Sequence, residues 1–223
     1  MPASELATVA LTLKLAAVTT VLLLLLCLPL AWWLASGGGR WRHTVMAVAA
    51  LPLVLPPTVL GFYLLLWMAP GGWLGDLALW LRQQSLAFTF EGLVIGSLVY
   101  SLPFAVFPLR NAFLGVPRES LDAASTLGAG PLDRFFTVAL PLSRPGLAAA
   151  AILTFAHTVG EFGVVLMIGG SIPGETRVLS IAIFEQVEAL NYQGAHWLSA
   201  LLVLFSFTAL LLTRPGQEEH RHA

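Results

Sequence analysis

The chain has 223 residues, 57% of them hydrophobic and 10% charged, against roughly 25% charged in an ordinary soluble domain. With a mean hydropathy of +0.84, this excludes a soluble globule and fits a multi-span helical membrane protein. The formal net charge is −1, from 11 Lys and Arg against 12 Asp and Glu, so there is no basic footprint for nucleic acid.

Stretches free of Asp, Glu, Lys and Arg run from Leu15 to Gly39, His43 to Gly75, Gly92 to Leu109, Pro145 to Gly160 and Ala189 to Thr213. A helix crossing a hydrocarbon core of roughly 30 Å needs about 20 residues at 1.5 Å each. The fourth stretch meets that length only by running past Glu161. The pattern therefore predicts one all-α transmembrane domain over residues 1–223. Its five spans fall at 11–35, 44–68, 89–109, 146–168 and 195–213, with a long polar loop at 110–144.

The first span also has the layout of a signal peptide, with Lys14 ahead of an apolar core and Leu34-Ala35-Ser36 as a cleavage site. Arg40 and Arg42 directly after it resist export and favour a retained helix. Arginine placement sets the orientation, because basic short loops stay in the cytoplasm. Arg40, Arg42, Arg110, Arg118, Arg134, Arg144, Arg214 and Arg221 fall on one side. Lys14, Arg82 and Arg177 fall on the other, beside Asp76, Glu175, Glu185 and Glu188. The N-terminus is expected outside and the C-terminus inside. Trp32, Trp33 and Trp41 then form an inner interfacial belt, and Trp67, Trp73 and Trp80 an outer one.

Two broken spans are expected. Pro52, Pro56 and Pro57 remove backbone donors from span two, and freed carbonyls are tolerated at membrane depth only where protein or a water-filled cavity satisfies them. With Thr58 they read as a gate segment beside a path, or as an ordinary kink packed on its neighbours. In span four, Gly160-Glu161-Phe162-Gly163 places a carboxylate roughly 24 Å beyond Pro145, where charge is costly and by default functional. A gate or helix-pinning role fits, with Arg177 or backbone donors as partners. His157, one turn before Glu161, reads as a relay or metal pair with it, or as a hydrogen-bonded interior histidine. Ser97, Ser101, Thr58, Thr154 and Thr158 offer neutral hydrogen bonds, to an oxyanion or to neighbouring helices. Glu91 reads as an outer-interface charge.

The loop 110–144 is too long for a simple connection and carries its own structure. Pro117 suits a first helical turn, and Gly128 is placed to end that helix in the left-handed region. Gly130-Pro131 starts a second short helix, with Asp133 near its N-terminus and Pro141 closing it. Leu121, Ala124 and Leu127 recur at helical spacing. From spacing alone, this is either an amphipathic helix resting on the bilayer or a docking corner.

Cys27, the single cysteine, lies in an apolar run and builds neither a disulfide nor a CxxC site. Lys14 is the single lysine, so no GxxxxGK[ST] phosphate loop exists and ATP-driven work needs another polypeptide.

Asp122-Ala123-Ala124, three residues, Gly128, nine residues, then Val138-Ala139-Leu140-Pro141 resembles the EAA loop of membrane subunits of bacterial ABC importers, with Asp122 in place of Glu and Val138 in place of Ile. Leu51 to Gly61, Gly160 to Gly163 and Ile172 to Arg177 are together similar to molybdate permease subunits; the Gly160 to Gly163 motif is shared with sulfate permeases. The resemblance implies a type I ABC importer permease in the bacterial inner membrane, not itself an enzyme. Leu121, Asp122, Ala123, Ala124, Gly128, Leu140 and Pro141 would couple to an ATPase subunit. Pro52, Pro56, Pro57, Thr58, Gly160, Glu161, Phe162 and Gly163 would form the gate and path.

The implied partners are a second copy of the chain, two ATPase subunits holding ATP and magnesium, a periplasmic molybdate-binding protein, and molybdate or tungstate as cargo. No cofactor is expected in this chain. Five helices are few to enclose a polar route alone, which agrees with a path shared between two copies. Rival readings are the same machine carrying sulfate or tungstate, an intramembrane hydrolase using Ser97 or Ser101 with His157, and a passive channel.

Overall fold

The computed structural model describes residues 3–82 and 85–212. Arg214, Arg221 and the predicted end of span five at Thr213 lie outside the described residues. In chain order the helices are α1 (Ala3–Ala35), α2 (Arg40–Val54), α3 (Pro57–Met68), α4 (Trp73–Arg82), α5 (Phe90–Leu114), α6 (Arg118–Thr126) and α7 (Pro131–Arg134). A π-helical turn (Phe135–Ala139) follows, then α8 (Leu140–Leu142), α9 (Arg144–Gly160), α10 (Gly163–Gly169), α11 (Leu179–Glu188) and α12 (Tyr192–Leu212). No strand occurs among the described residues.

Among the described residues, three helices are long and apolar enough to cross a membrane: Ser4–Ala35, Phe90–Leu114 and Tyr192–Leu211. The number rises to five if each of two bent pairs is one crossing: α2 with α3, bent by 110°, and Pro131–Leu142 with α9, bent by 73°. The predicted fourth span, 146–168, is not one helix. It stops at Gly160, passes through extended Glu161 (φ −66°, ψ 133°) and Phe162 (φ −129°, ψ −64°), and restarts at Gly163. A glycine on either side of the break lowers helix propensity where the chain must also place a carboxylate.

Among the described residues, the two larger of three apolar clusters stack along the bundle. One joins Leu15 of α1, Leu64 and Met68 of α3, Leu93 of α5, Val164 and Ile168 of α10, and Ile181 of α11. The other joins Leu23, Cys27 and Ala31 of α1, Ala105, Leu109 and Phe113 of α5, and Ala150 of α9. Both α1 and α5 run from the first cluster to the second, so they are parallel, and α9–α10 runs the other way. Those relative directions match the predicted path of spans one, three and four. The burial of Leu15, Leu23, Cys27 and Ala31 makes α1 an integral wall of the bundle, against the signal-peptide reading.

Lipid is as apolar as leucine, so helices here associate through close packing and hydrogen bonds more than through burial from water. Gly96 of α5 lies so close to α10 that a Cβ on it would sit 2.1 Å from Ile168 Cδ1, and one on Gly146 of α9 would sit 2.2 Å from Ala112 Cβ of α5. Thr12 of α1 accepts the Leu179 backbone N–H at 2.8 Å and so fixes the start of α11.

Candidate functional site

The loop between α5 and α9 folds into a corner. Pro117 is extended (φ −58°, ψ 130°) and precedes α6 instead of sitting in its first turn, while Glu119 occupies that turn and complements the helix dipole. At the far end Gly128 has φ +88°. Its N–H donates to the Ser125 carbonyl at 3.0 Å, and the Ala129 N–H to the Ala124 carbonyl at 3.0 Å. These are the paired bonds of a Schellman cap, as the glycine predicted. Arg134 Nη1 donates to Ser125 Oγ at 2.7 Å, tying α7 to α6.

The corner presents its tip to the surroundings. No α6 residue is buried; Asp122, Ala123 and Gly128 are exposed, Leu127 is 88% exposed and Leu132 75%. Nothing lies within 4 Å of a Cβ built on Gly128. Leu121 and Ala124 are half-buried, with Leu121 packed on the second apolar cluster.

Pro141 does not close the second short helix, contrary to its predicted role. The π turn shifts the register so that the Leu140 N–H reaches the Phe135 carbonyl, and the helix continues to Leu142. The extra residue of a π turn accommodates a proline that cannot donate. Leu140 and Pro141 are therefore half-buried at the base of the loop, separate from the tip formed by Asp122, Ala123 and Gly128. Three rings clasp this base to the bundle: Trp32 to Phe113 at 5.4 Å, Trp32 to Phe135 at 5.7 Å and Phe113 to Phe135 at 5.8 Å.

The two predicted breaks meet. Leu55 and Pro56 are extended, and α3 starts with Pro57 at its first position. A Cβ on Gly163 would sit 2.8 Å from Pro57 Cβ, and one on Gly61 2.7 Å from Met167 Cβ, so α3 and α10 touch at backbone distance. Pro52 is buried within α2, whereas Pro56, Thr58 and Gly160 are exposed. Phe162 packs on Phe184 of α11, ring centroids 5.2 Å apart.

Glu161 is 3% exposed, and neither carboxyl oxygen has a hydrogen-bond partner among the described residues; the same holds for the Ser97 hydroxyl. The Glu161 backbone carbonyl accepts from Ser180 Oγ at 2.5 Å. Arg177 is not its partner: Arg177 Nε donates to Glu185 Oε2 at 2.7 Å, and Ser171 also donates to Glu185.

His157 does not bond the Glu161 carboxyl group either. Its Nδ1 lies 2.9 Å from Ser101 Oγ, Ser101 Oγ lies 3.0 Å from Thr158 Oγ1, and Thr158 donates to the Thr154 carbonyl at 2.9 Å. The ring stacks on Phe104 at 3.9 Å. This is the hydrogen-bonded interior histidine, and the hydroxyls join α5 to α9.

Sequence reasoning missed Ser180, Thr12 and Thr176, which hold the segments around the break. Thr176 Oγ1 donates to the Gly169 carbonyl at 2.7 Å and accepts from the Ile172 N–H at 3.0 Å. Isolated hydroxyls with partners as far as 167 positions away leave no local pattern to read.

Residues 27–214 match the family described as binding-protein-dependent transport system inner membrane component. The chain is 59% identical over 212 residues to the molybdenum transport system permease protein ModB of Azotobacter vinelandii, covering 94% of each. It is 32% identical over 214 residues to a probable sulfate transport system permease protein, cysT, of Nephroselmis olivacea, covering 95% of this chain and 74% of that one. Its fold resembles a chain of the MetNI methionine ABC transporter in inward-facing conformations, with TM-score 0.72 and 20% identity over 96% of this chain and 94% of that one. The chain belongs to the inner-membrane components of binding-protein-dependent transport systems, among the molybdenum transport permeases, and is a membrane permease rather than an ATPase.

Proposed function

We propose that two copies of this chain form the path of an ATP-driven importer that carries molybdate across the bacterial inner membrane. The observation that carries the cargo is the 59% identity to ModB of Azotobacter vinelandii over nearly the whole chain. The sulfate reading has weaker support, since the relative of that name is 32% identical. Tungstate, of like charge and shape, is a second cargo. In this reading each chain crosses five times, with the N-terminus outside, the corner of α6 and α7 in the cytoplasm and the C-terminus inside. Two ATPase subunits bind ATP with magnesium, and a periplasmic molybdate-binding protein delivers the oxyanion.

The mechanism follows from how the parts are joined. The exposed tip at Asp122, Ala123 and Gly128 docks on the ATPase subunit. The ring cluster of Trp32, Phe113 and Phe135 and the base at Leu140 and Pro141 pass the tip's displacement to α1, α5 and α9. Helix α9 ends at the Glu161 break, where α10 bears on α3 through Gly163 and Pro57, so movement of α9 reaches the broken second span. Pro52, Pro56, Pro57 and Thr58 on one side, and Gly160 to Gly163 on the other, then act as paired hinges beside the path. A charged Glu161 repels a dianion, so it does not ligate cargo, and the break it occupies is pinned through its backbone carbonyl by Ser180.

Proteoliposomes holding the permease, its ATPase and the binding protein test this reading. Molybdate uptake should require ATP and be competed far better by tungstate than by sulfate. Equal competition by sulfate would move the cargo assignment, and uptake without nucleotide would make the protein a channel.

A further inference from the structure

Between the C-terminal ends of α1 and α5 and the corner of α6 and α7 lies a cavity of about 560 Å³. Trp32, Phe113 and Leu121 give it an apolar wall, and the charged side chains lining it are Arg118, Arg134 and Asp122. Two guanidinium groups against one carboxylate leave a net positive charge, which suits an anion. Arg134 spends Nη1 on Ser125, while its buried Nε has no hydrogen-bond partner among the described residues. That leaves a donor to satisfy beside the cavity, and guanidinium groups match phosphate oxygens in geometry.

The depth of the cavity selects the source of the anion. Trp32 and Phe113 stand in the last turns of the apolar helices α1 and α5, where aromatic side chains mark the membrane–water boundary. Phospholipid phosphates lie at that level, and basic pockets there hold anionic headgroups. The apolar wall gives the adjoining glycerol and acyl carbons a surface that a free ion would not use.

We propose that this cavity binds the phosphate headgroup of an anionic phospholipid, held by Arg118 and Arg134, with the Trp32 and Phe113 wall against its apolar end. The bound lipid would anchor the coupling corner to the bilayer surface. Which leaflet supplies the lipid rests on the orientation proposed above; occupancy of the site does not.

The test uses the permease assembled with its ATPase in nanodiscs of phosphatidylcholine containing a minor fraction of phosphatidylglycerol, followed by detergent extraction and native mass spectrometry. The wild-type complex should retain phosphatidylglycerol in preference to phosphatidylcholine. Arg134→Gln and, independently, Arg118→Gln should each lower that retention about tenfold, with Arg134→Lys in between. Because Arg118→Gln leaves the Arg134 to Ser125 bond intact, it reports on the site even if Arg134→Gln loosens the corner. Equal retention of both lipids, or unchanged retention in both Gln variants, would overturn the proposal. Release of the lipid by inorganic phosphate or molybdate at millimolar concentration would reassign the cavity to a soluble anion. Loss of the ATPase subunit with lipid retention unchanged would reassign it to a segment of that partner.

Discussion

Gly163 presses its Cα against the ring of Pro57, so closely that a Cβ there would stand 2.8 Å from Pro57 Cβ. This one contact joins the interruption of the second predicted span to that of the fourth. Gly163→Val should force α3 and α10 apart at an overpacking cost of about 1–3 kcal/mol. The variant should assemble with its ATPase yet lose most ATP-driven uptake. Gly160→Ala should cost far less, because nothing lies within 4 Å of a Cβ at that exposed position. Uptake by equal amounts of assembled complex decides it: wild-type rates in Gly163→Val would show that the contact is not part of the moving path.

The Ser101, His157 and Thr158 network should act on stability first. Ser101→Ala leaves His157 Nδ1 and the Thr158 hydroxyl each short of a partner at 2.9 and 3.0 Å, a loss of about 1–3 kcal/mol for buried groups. His157→Ala should cost more, because the stack on Phe104 goes with the hydrogen bond. Thermal unfolding of the detergent-solubilised protein should show both shifts. A Ser101→Ala protein with unchanged Tm and no transport would place the hydroxyl in the path instead.

Some of this architecture was legible from spacing and some was not. The left-handed end of α6 could be read because Gly128 follows ten helix-compatible residues, Arg118 to Leu127, and only glycine takes φ +88° without cost. The breaks at Pro56 and Glu161 were also readable, from proline and from glycines flanking a charge. The partners of those breaks were not. Arg177 looked available to Glu161, yet Glu185 of α11, eight positions further on, takes it. Pro141 looked like a helix end, and the π turn that absorbs it depends on the packing of Phe135 against Trp32 and Phe113. Tertiary packing, not local preference, decided both.

Orientation is open to direct test. Reporters fused after Gly130 should sit in the cytoplasm, and reporters in the loop around Gly174 should sit in the periplasm. These two sites lie at opposite ends of α9 and its continuation, so the five-span reading requires opposite readings whatever the absolute sense. A periplasmic reading at Gly130 would separate the corner from any cytoplasmic ATPase and remove the coupling role.

The corner itself gives the most direct test of coupling. At Gly128 a side chain meets open space, so a substitution there acts through backbone strain and through whatever docks on the tip. Gly128→Leu should strain the left-handed position by roughly 1–2 kcal/mol and set a bulky group beside Leu127, which is already 88% exposed. The corner carries no buried α6 residue, so membrane insertion and the packing of α1, α5 and α9 should survive. The variant should reach the membrane in normal amounts, bind the ATPase subunit weakly and transport nothing. Asp122→Ala should give a milder form of the same defect, because it removes an exposed hydrogen-bond acceptor without changing the backbone. Co-purification of the ATPase and molybdate uptake, both on membranes with matched expression, measure the outcome. If Gly128→Leu keeps wild-type values in both, α6 is a surface helix resting on the bilayer, and the motion of the ATPase must enter the bundle elsewhere.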